Sequence, residues 1–328
     1  VSKQFYRAFE DKYRGTRGLI KSRLQIYFPF IRPLKSSNQQ KQVLAIDLGC
    51  GRGEWLELLA EEGGFAAQGV DLDKEMLQAS KEQGLKVTQQ DAVQFLKNLP
   101  SASQSIVTGF HIAEHIAFSD LQELIKQAHR VLKPAGLLIL ETPNPENIAV
   151  GTVNFYLDPT HQSPIPPLLL DFIPPFYGFA RSKVIRLQET LDLVNRPNEI
   201  GLIDVIKGVS PDYAVIAQKI AKPEQMFKFD AAFNKQYGIT LDQLIECYEN
   251  NISHKIEELS ARVQAAEIKT QTAEEKTQAA EEKTQAAEEK TQAAEEKTQA
   301  AETRVHDLIN SSSWRITRPL RGLMGLFK

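Results

Sequence analysis

The 328-residue chain has few cysteines, no basic excess and no long apolar run, and each shortage removes a class of function. Two cysteines, Cys50 and Cys247, are too few for a disulfide framework, so a reducing cytoplasm is expected. The formal charge of −3 leaves no broad excess of Lys and Arg to displace counterions from phosphates, and no nucleic-acid partner is expected. The most hydrophobic stretch, 168–180, is interrupted by Asp171, Pro174 and Pro175 and cannot span a bilayer. What remains is an ordinary globular composition, 42% hydrophobic and 25% charged, sufficient for one sizeable core plus a further segment.

Strand-like runs alternate with helical patterns at 43–48, 66–70, 85–89, 105–109, 137–140, 184–187 and 213–217. This alternation predicts an α/β fold, a seven-stranded Rossmann-like sheet covered by helices. Between the fifth and sixth candidates lies 143–183, rich in proline and aromatics such as Pro164, Pro166, Phe172, Pro174 and Tyr177. So long an insertion inside a compact domain is usually functional.

From Thr270 a seven-residue unit, TQAAEEK with small variations, begins again at Thr277, Thr284, Thr291 and Thr298. With Ile256 at heptad position a, Val263, the five threonines and Val305 follow at a, while Leu259, Ala266, Ala273 and Leu308 fall at d. Eight unbroken heptads predict a left-handed coiled coil about 85 Å long. Each repeat lysine falls at g and a glutamate at the next e, as with Lys276 and Glu281. Parallel partners would therefore pair opposite charges, and a parallel homo-oligomer is expected. The final segment, 310–328, combines Arg315, Arg318, Arg321 and Lys328 with Trp314, Leu320, Leu323 and Phe327, a pattern suited to an anionic membrane surface.

The strongest local signal is Asp47-Leu48-Gly49-Cys50-Gly51-Arg52-Gly53, directly after the first strand and before a helical pattern. Glycines there let the backbone turn sharply and approach a ligand. The Gly-x-Gly-x-Gly spacing misses the Gly-x-Gly-x-x-Gly of a dinucleotide site. The second strand ends at Asp71, with Asp73 beyond, placing a carboxylate where both hydroxyls of a ribose can be accepted. Asp91 and Ala92, past the third strand, stand where an adenine edge can be read. His111-Ile112-Ala113-Glu114-His115 matches an inverted zinc-protease pattern, but its place after the fourth strand argues against that activity. In Asp158-Pro159-Thr160-His161, a carboxylate and an imidazole three residues apart suggest either a base with its orienting partner or, with His115, a metal site; no metal is assigned.

With DLGCGRG, the acidic Asp71 and the Gln90-Asp91-Ala92 triplet in order, the sequence over about residues 1–220 resembles the class I S-adenosylmethionine (SAM)-dependent methyltransferases. The resemblance implies SAM as cofactor, held by Asp47, Gly49, Gly51, Asp71, Leu72, Asp73, Met76, Gln90, Asp91, Ala92 and His111; the aromatic and basic amino-terminal arm, with Tyr6, Arg7 and Arg23, either closes over it or packs on the sheet edge. The arm, the DPTH segment and the Ser-Ser-Ser-Trp-Arg-Ile-Thr tail at 311–317 further resemble the chain-terminating methyltransferases of bacterial O-antigen. That narrower resemblance implies methyl capping of the non-reducing terminal sugar of a lipid-linked polysaccharide, with His161, Asp158 and His115 nearest the acceptor. It also implies a glycosyltransferase polymerase as partner, a place on the inner face of the inner membrane, and a coiled coil that sets chain length. The expected organisation is a helical lid at 1–42, a methyltransferase domain at 43–220 with an acceptor-binding insertion at 143–183, a helical linker at 221–250, a coiled coil at 251–309 and a membrane-associating tail at 310–328.

Overall fold

The structure, a computed structural model, describes residues 12–13, 15–35, 42–317 and 321. Seven strands form one sheet: β1 (Val43–Leu48), β2 (Phe65–Asp71), β3 (Val87–Gln89), β4 (Gln104–Phe110), β5 (Leu132–Pro143), β6 (Arg181–Leu187) and β7 (Asp212–Gln218). Their order is β3-β2-β1-β4-β5-β7-β6. The first five pair in parallel, whereas β7 runs antiparallel to both β5 and β6. The chain steps outward from β1 to β3 and then returns to place β4 on the other side of β1. A crevice at the carboxyl ends of β1 and β4 is the ligand position such a reversal creates.

Alternation along the strands builds two cores. Ile46, Leu48, Leu138 and Leu140 enter one apolar cluster, while Val43, Ala45, Leu137 and Ile139 enter the other, the period-two pattern of a sheet covered on both faces. Helix α1 (Arg17–Leu24) precedes the sheet, and α2 (Glu54–Glu62), α3 (Lys74–Glu82), α4 (Ala92–Asn98) and α5 (Phe118–Val131) alternate with the strands. In α5, Leu121, Leu124, Ile125 and Ala128 recur at helical spacing and are all buried. Truncating Leu124 to alanine there would cost about 2–5 kcal/mol. On the opposite face Trp55 and Leu59 of α2 pack with Tyr27, Phe30 and Ile31. The insertion carries α6 (Pro167–Phe176), whose Leu170 and Ile173 are buried while Leu168, Phe172 and Phe176 are exposed.

Residues 221–250 pack on this core: Phe229, Ala232 and Phe233 are buried beside the sheet, and Ile239 and Leu244 join a small cluster with Leu193, Ile200, Val205 and Val209. The described residues fall into two compact units that divide between Ile252 and Ser253. The heptads lie in α7 (Leu241–Asn310), 70 residues long. Ile256, Leu259, Val263, Val305 and Leu308 are exposed on it. Each repeat threonine turns its hydroxyl onto its own helix: Thr277 donates to the Ala273 carbonyl at 3.0 Å, and Thr284, Thr291 and Thr298 donate to Ala280, Ala287 and Ala294 at 2.9 Å. Among the described residues no helix is long and apolar enough to cross a membrane. The tail beyond Thr317, Arg321 apart, lies outside the described residues.

Candidate active site

The glycine loop turns between β1 and α2 with Gly49, Gly51 and Gly53 at φ of 67°, 49° and 79°, a region L-residues enter at a cost. A Cβ on Gly53 would also meet Leu85 at 2.6 Å. The Asp71 carboxylate locks this loop to the end of β2: Gly51 N–H donates to Oδ2 at 2.9 Å and Asp73 N–H to Oδ1 at 2.8 Å. Asp73 in turn caps α3, accepting from the backbone of Glu75 and Met76. Leu72 between them is exposed. Gln90 N–H donates to the Asp71 carbonyl at 3.1 Å, and Asp91 caps α4, which begins at Ala92. Asp47 is buried and accepts from Thr108 Oγ1 at 2.7 Å.

Beside this loop a cleft of about 320 Å³ opens, lined by Tyr13, Arg23, Phe110, His111, His115, Glu141, Leu157, Asp158, His161, Gln188 and Asp212 among others. Five residues singled out from the sequence, Arg23, His111, His115, Asp158 and His161, thus meet in one place. Tyr6 and Arg7 lie outside the described residues. Ile112 joins the two regions: it stands where a side chain on Gly49 would meet it at 3.3 Å.

His111 takes a left-handed φ of 56°, which is uncommon for a residue with a Cβ. Its Nδ1 lies 3.0 Å from Glu114 Oε1 and its Nε2 3.4 Å from Glu141 Oε1. Desolvation alone would lower the pKa of the imidazole, but the bonds to Glu114 and Glu141 outweigh it and hold His111 well above its ordinary value. Desolvation would raise Glu114, yet the His111 bond prevails and lowers it. Burial pushes the Asp212 carboxyl up to about 6. Tyr27 donates its phenolic hydrogen to Glu141 Oε2, and burial beside that carboxylate pushes the phenol upward.

The DPTH segment bends back over the 111–115 loop. Asp158 Oδ1 accepts from Thr160 N at 2.8 Å and from Thr160 Oγ1 at 2.6 Å. The same hydroxyl oxygen lies 2.9 Å from His115 Nδ1. His161 Nδ1 lies 2.6 Å from the Phe155 carbonyl, and its Nε2 is 3.8 Å from Asp158 Oδ2. The two imidazoles meet edge to face at 4.7 Å, and desolvation lowers the pKa of His115. Such a group can orient a hydroxyl and take its proton.

Glu141, Asp212, Thr160, Gln188 and Tyr27 join the site without standing out in the sequence. Glu141 carried a signal, a carboxylate ending the apolar run 137–140 at the carboxyl edge of the sheet. Asp212 carried none, because it reaches that edge only through the antiparallel reversal of β7.

A family model described as a methyltransferase domain matches residues 46–140. A solved SAM-dependent methyltransferase from Archaeoglobus fulgidus is 32% identical, with a TM-score of 0.57, over 66% of this chain and 100% of that one. A demethylmenaquinone methyltransferase from Staphylococcus epidermidis is 29% identical over 163 residues, 46% of this chain. One from a Geobacillus strain is 30% identical over 133 residues, 38% of this chain. The chain spans 60% and 55% of the length of these two curated relatives.

Proposed function

The chain belongs to the SAM-dependent methyltransferases, and from that premise we propose that it methylates the terminal sugar hydroxyl of a lipid-linked bacterial O-antigen polysaccharide and so ends its growth. SAM is the methyl donor. In this reading Asp71 accepts the ribose hydroxyls, Leu72 covers the adenine, Asp91 and Ala92 read its edge, and the glycine loop lies under the methionine portion with Arg23 facing its carboxylate. The acceptor oxygen attacks the S-methyl carbon, the C–S electron pair returns to sulfur, leaving a neutral thioether, and the hydroxyl proton passes to the group formed by His115, Asp158 and His161. The observation that carries the reading is that group: a carboxylate and two imidazoles converging on the wall of one cleft.

The acceptor class rests on the rest of the chain. The exposed apolar a and d residues of α7 fit a second copy of this chain in parallel register. Its threonines fit a buried seam, because each hydroxyl already has a carbonyl partner. Leu168, Phe172 and Phe176, exposed at successive i, i+4 positions of α6, suit an enzyme working at the inner membrane surface beside a polymerase. A second reading, methylation of a small quinone or phenol, draws on the names of the curated relatives and on Phe110 and Leu157 in the cleft.

Labelled SAM offered with short lipid-linked glycans and, separately, demethylmenaquinone separates the two. Label on a terminal sugar is expected; label on the quinone alone overturns the proposal in favour of its rival. Deleting two TQAAEEK units should shorten the modal glycan, and an unchanged distribution would remove the length-setting role of the coiled coil.

A further inference from the structure

We propose that Glu114, His115 and His161 form a binding site for one divalent first-row transition ion. The three offer ligand atoms within 4.8 Å of one another, Glu114 buried and the histidines on the cleft wall.

Hydrogen bonding fixes which nitrogens are free. The Phe155 carbonyl, 2.6 Å from His161 Nδ1, can only accept, so Nδ1 carries the hydrogen and the neutral ring presents a lone pair at Nε2. Thr160 has one hydroxyl hydrogen, and the Asp158 carboxylate at 2.6 Å takes it. The threonine oxygen must then accept from His115 Nδ1, which leaves the second imidazole with an unprotonated Nε2 as well. Metal-binding histidines are held in this manner, the distal nitrogen donating to a carbonyl or to a chain that ends in a carboxylate. Glu114 is held likewise, with Thr142 Oγ1 donating to Oε2 at 2.9 Å and His111 against Oε1. The His161 ring is further fixed by Phe155, 4.5 Å away between centroids and itself buried.

The neighbouring cluster of His111, Glu141 and Asp212 is the instructive contrast. Both of its ring nitrogens already face carboxylates, at 3.0 and 3.4 Å, and no lone pair is left for an ion. Two imidazoles and one carboxylate suit manganese, iron, cobalt or zinc better than magnesium or calcium, which favour oxygen alone. Three protein ligands leave coordination positions for an incoming oxygen. Resting on the hydroxyl-methylation reading, the ion's task is to bind the acceptor oxygen and lower its pKa. The proton then leaves to Asp158 Oδ2, 3.8 Å from His161 Nε2, as the oxygen takes the methyl group.

The test reads the ion directly. Full-length protein, stripped with chelator, is titrated with Mn²⁺ followed by paramagnetic resonance and with Co²⁺ followed by its visible absorption. One ion per chain is expected. His115→Ala and His161→Ala should each abolish stoichiometric binding, and Thr160→Val, which removes the hydroxyl linking His115 to Asp158 but none of the three ligands, should weaken it about 10- to 100-fold. SAM binding by each variant confirms that it is folded. A wild-type protein that takes up no stoichiometric ion, or an ion held equally well by the folded His161→Ala variant, overturns the site. Ion binding without glycan methylation would sustain the site and sink the proposed function, whereas methylation by protein shown to be ion-free would sustain that function and overturn the ion's task in it.

Discussion

Two aspartates, one at the end of β2 and one on the cleft wall, spend their oxygens differently. Asp71 gives both to backbone N–H groups, one of Gly51 in the loop after β1 and one of Asp73 two residues on. Asp158 gives one to Thr160, which passes the interaction to a histidine on another loop, and leaves the other 3.8 Å from His161. The half proposed to hold the cofactor is thus a backbone cradle whose shape follows from glycines and helix caps. The half proposed to hold the acceptor is a side-chain network gathered from β4, β5, β7 and the insertion. The first resists change in its chemistry because the backbone carries it; the second can be retuned one residue at a time.

If the halves are separable, substitutions should divide cleanly between rate and cofactor affinity. The largest effect is expected of Asp158→Asn, which keeps the shape of the loop but cannot take a proton: kcat should fall about 10²- to 10⁴-fold with the SAM Kd unchanged by calorimetry. A parallel loss of SAM affinity would break the comparison and show the two halves to be one mechanical unit. Asp71→Ala should do the opposite. Losing a carboxylate that holds two backbone amides and the ribose is worth about 2–3 kcal/mol, roughly 30- to 150-fold in SAM Kd. At saturating SAM its kcat should stay within a few-fold of wild type.

The same division decides what could be read from the sequence. All seven strands and the long helix follow from periodicity, and the glycine loop with Asp71 and Asp91 follows from local spacing. Edges are less legible. The fifth strand begins at Leu132 rather than near 137, because Pro134 and the left-handed Ala135 (φ 63°) look like a turn and instead form an irregularity in the pairing with β4. The pattern of 221–250 conveys helix but not that Phe229 and Phe233 are buried against the sheet, since burial of a short amphipathic piece depends on what lies opposite. In the acceptor half His115 and His161 stand out by residue type, but their meeting depends on how a 143–183 insertion folds back, which no local period encodes.

The smallest effect expected concerns stability and belongs to the acceptor half alone. Asp212 faces Glu141, Glu114 and His111, with Arg23 nearby, and its pKa is raised from an ordinary 3.8 to about 6. An acid with a raised pKa binds its proton more tightly when folded. It therefore contributes stability below pH 3.8, and that contribution is lost as the pH rises through about 6. Above that range the ionised carboxylate sits in a desolvated, already acidic neighbourhood and opposes folding, by an amount of at most about 3 kcal/mol. Asp212→Asn should accordingly raise Tm by a few degrees at pH 8 and leave it nearly unchanged at pH 4. An equal shift at both values would mean that the gain comes from packing, and that the carboxylates of this half are offset by His111 without residual cost to the fold.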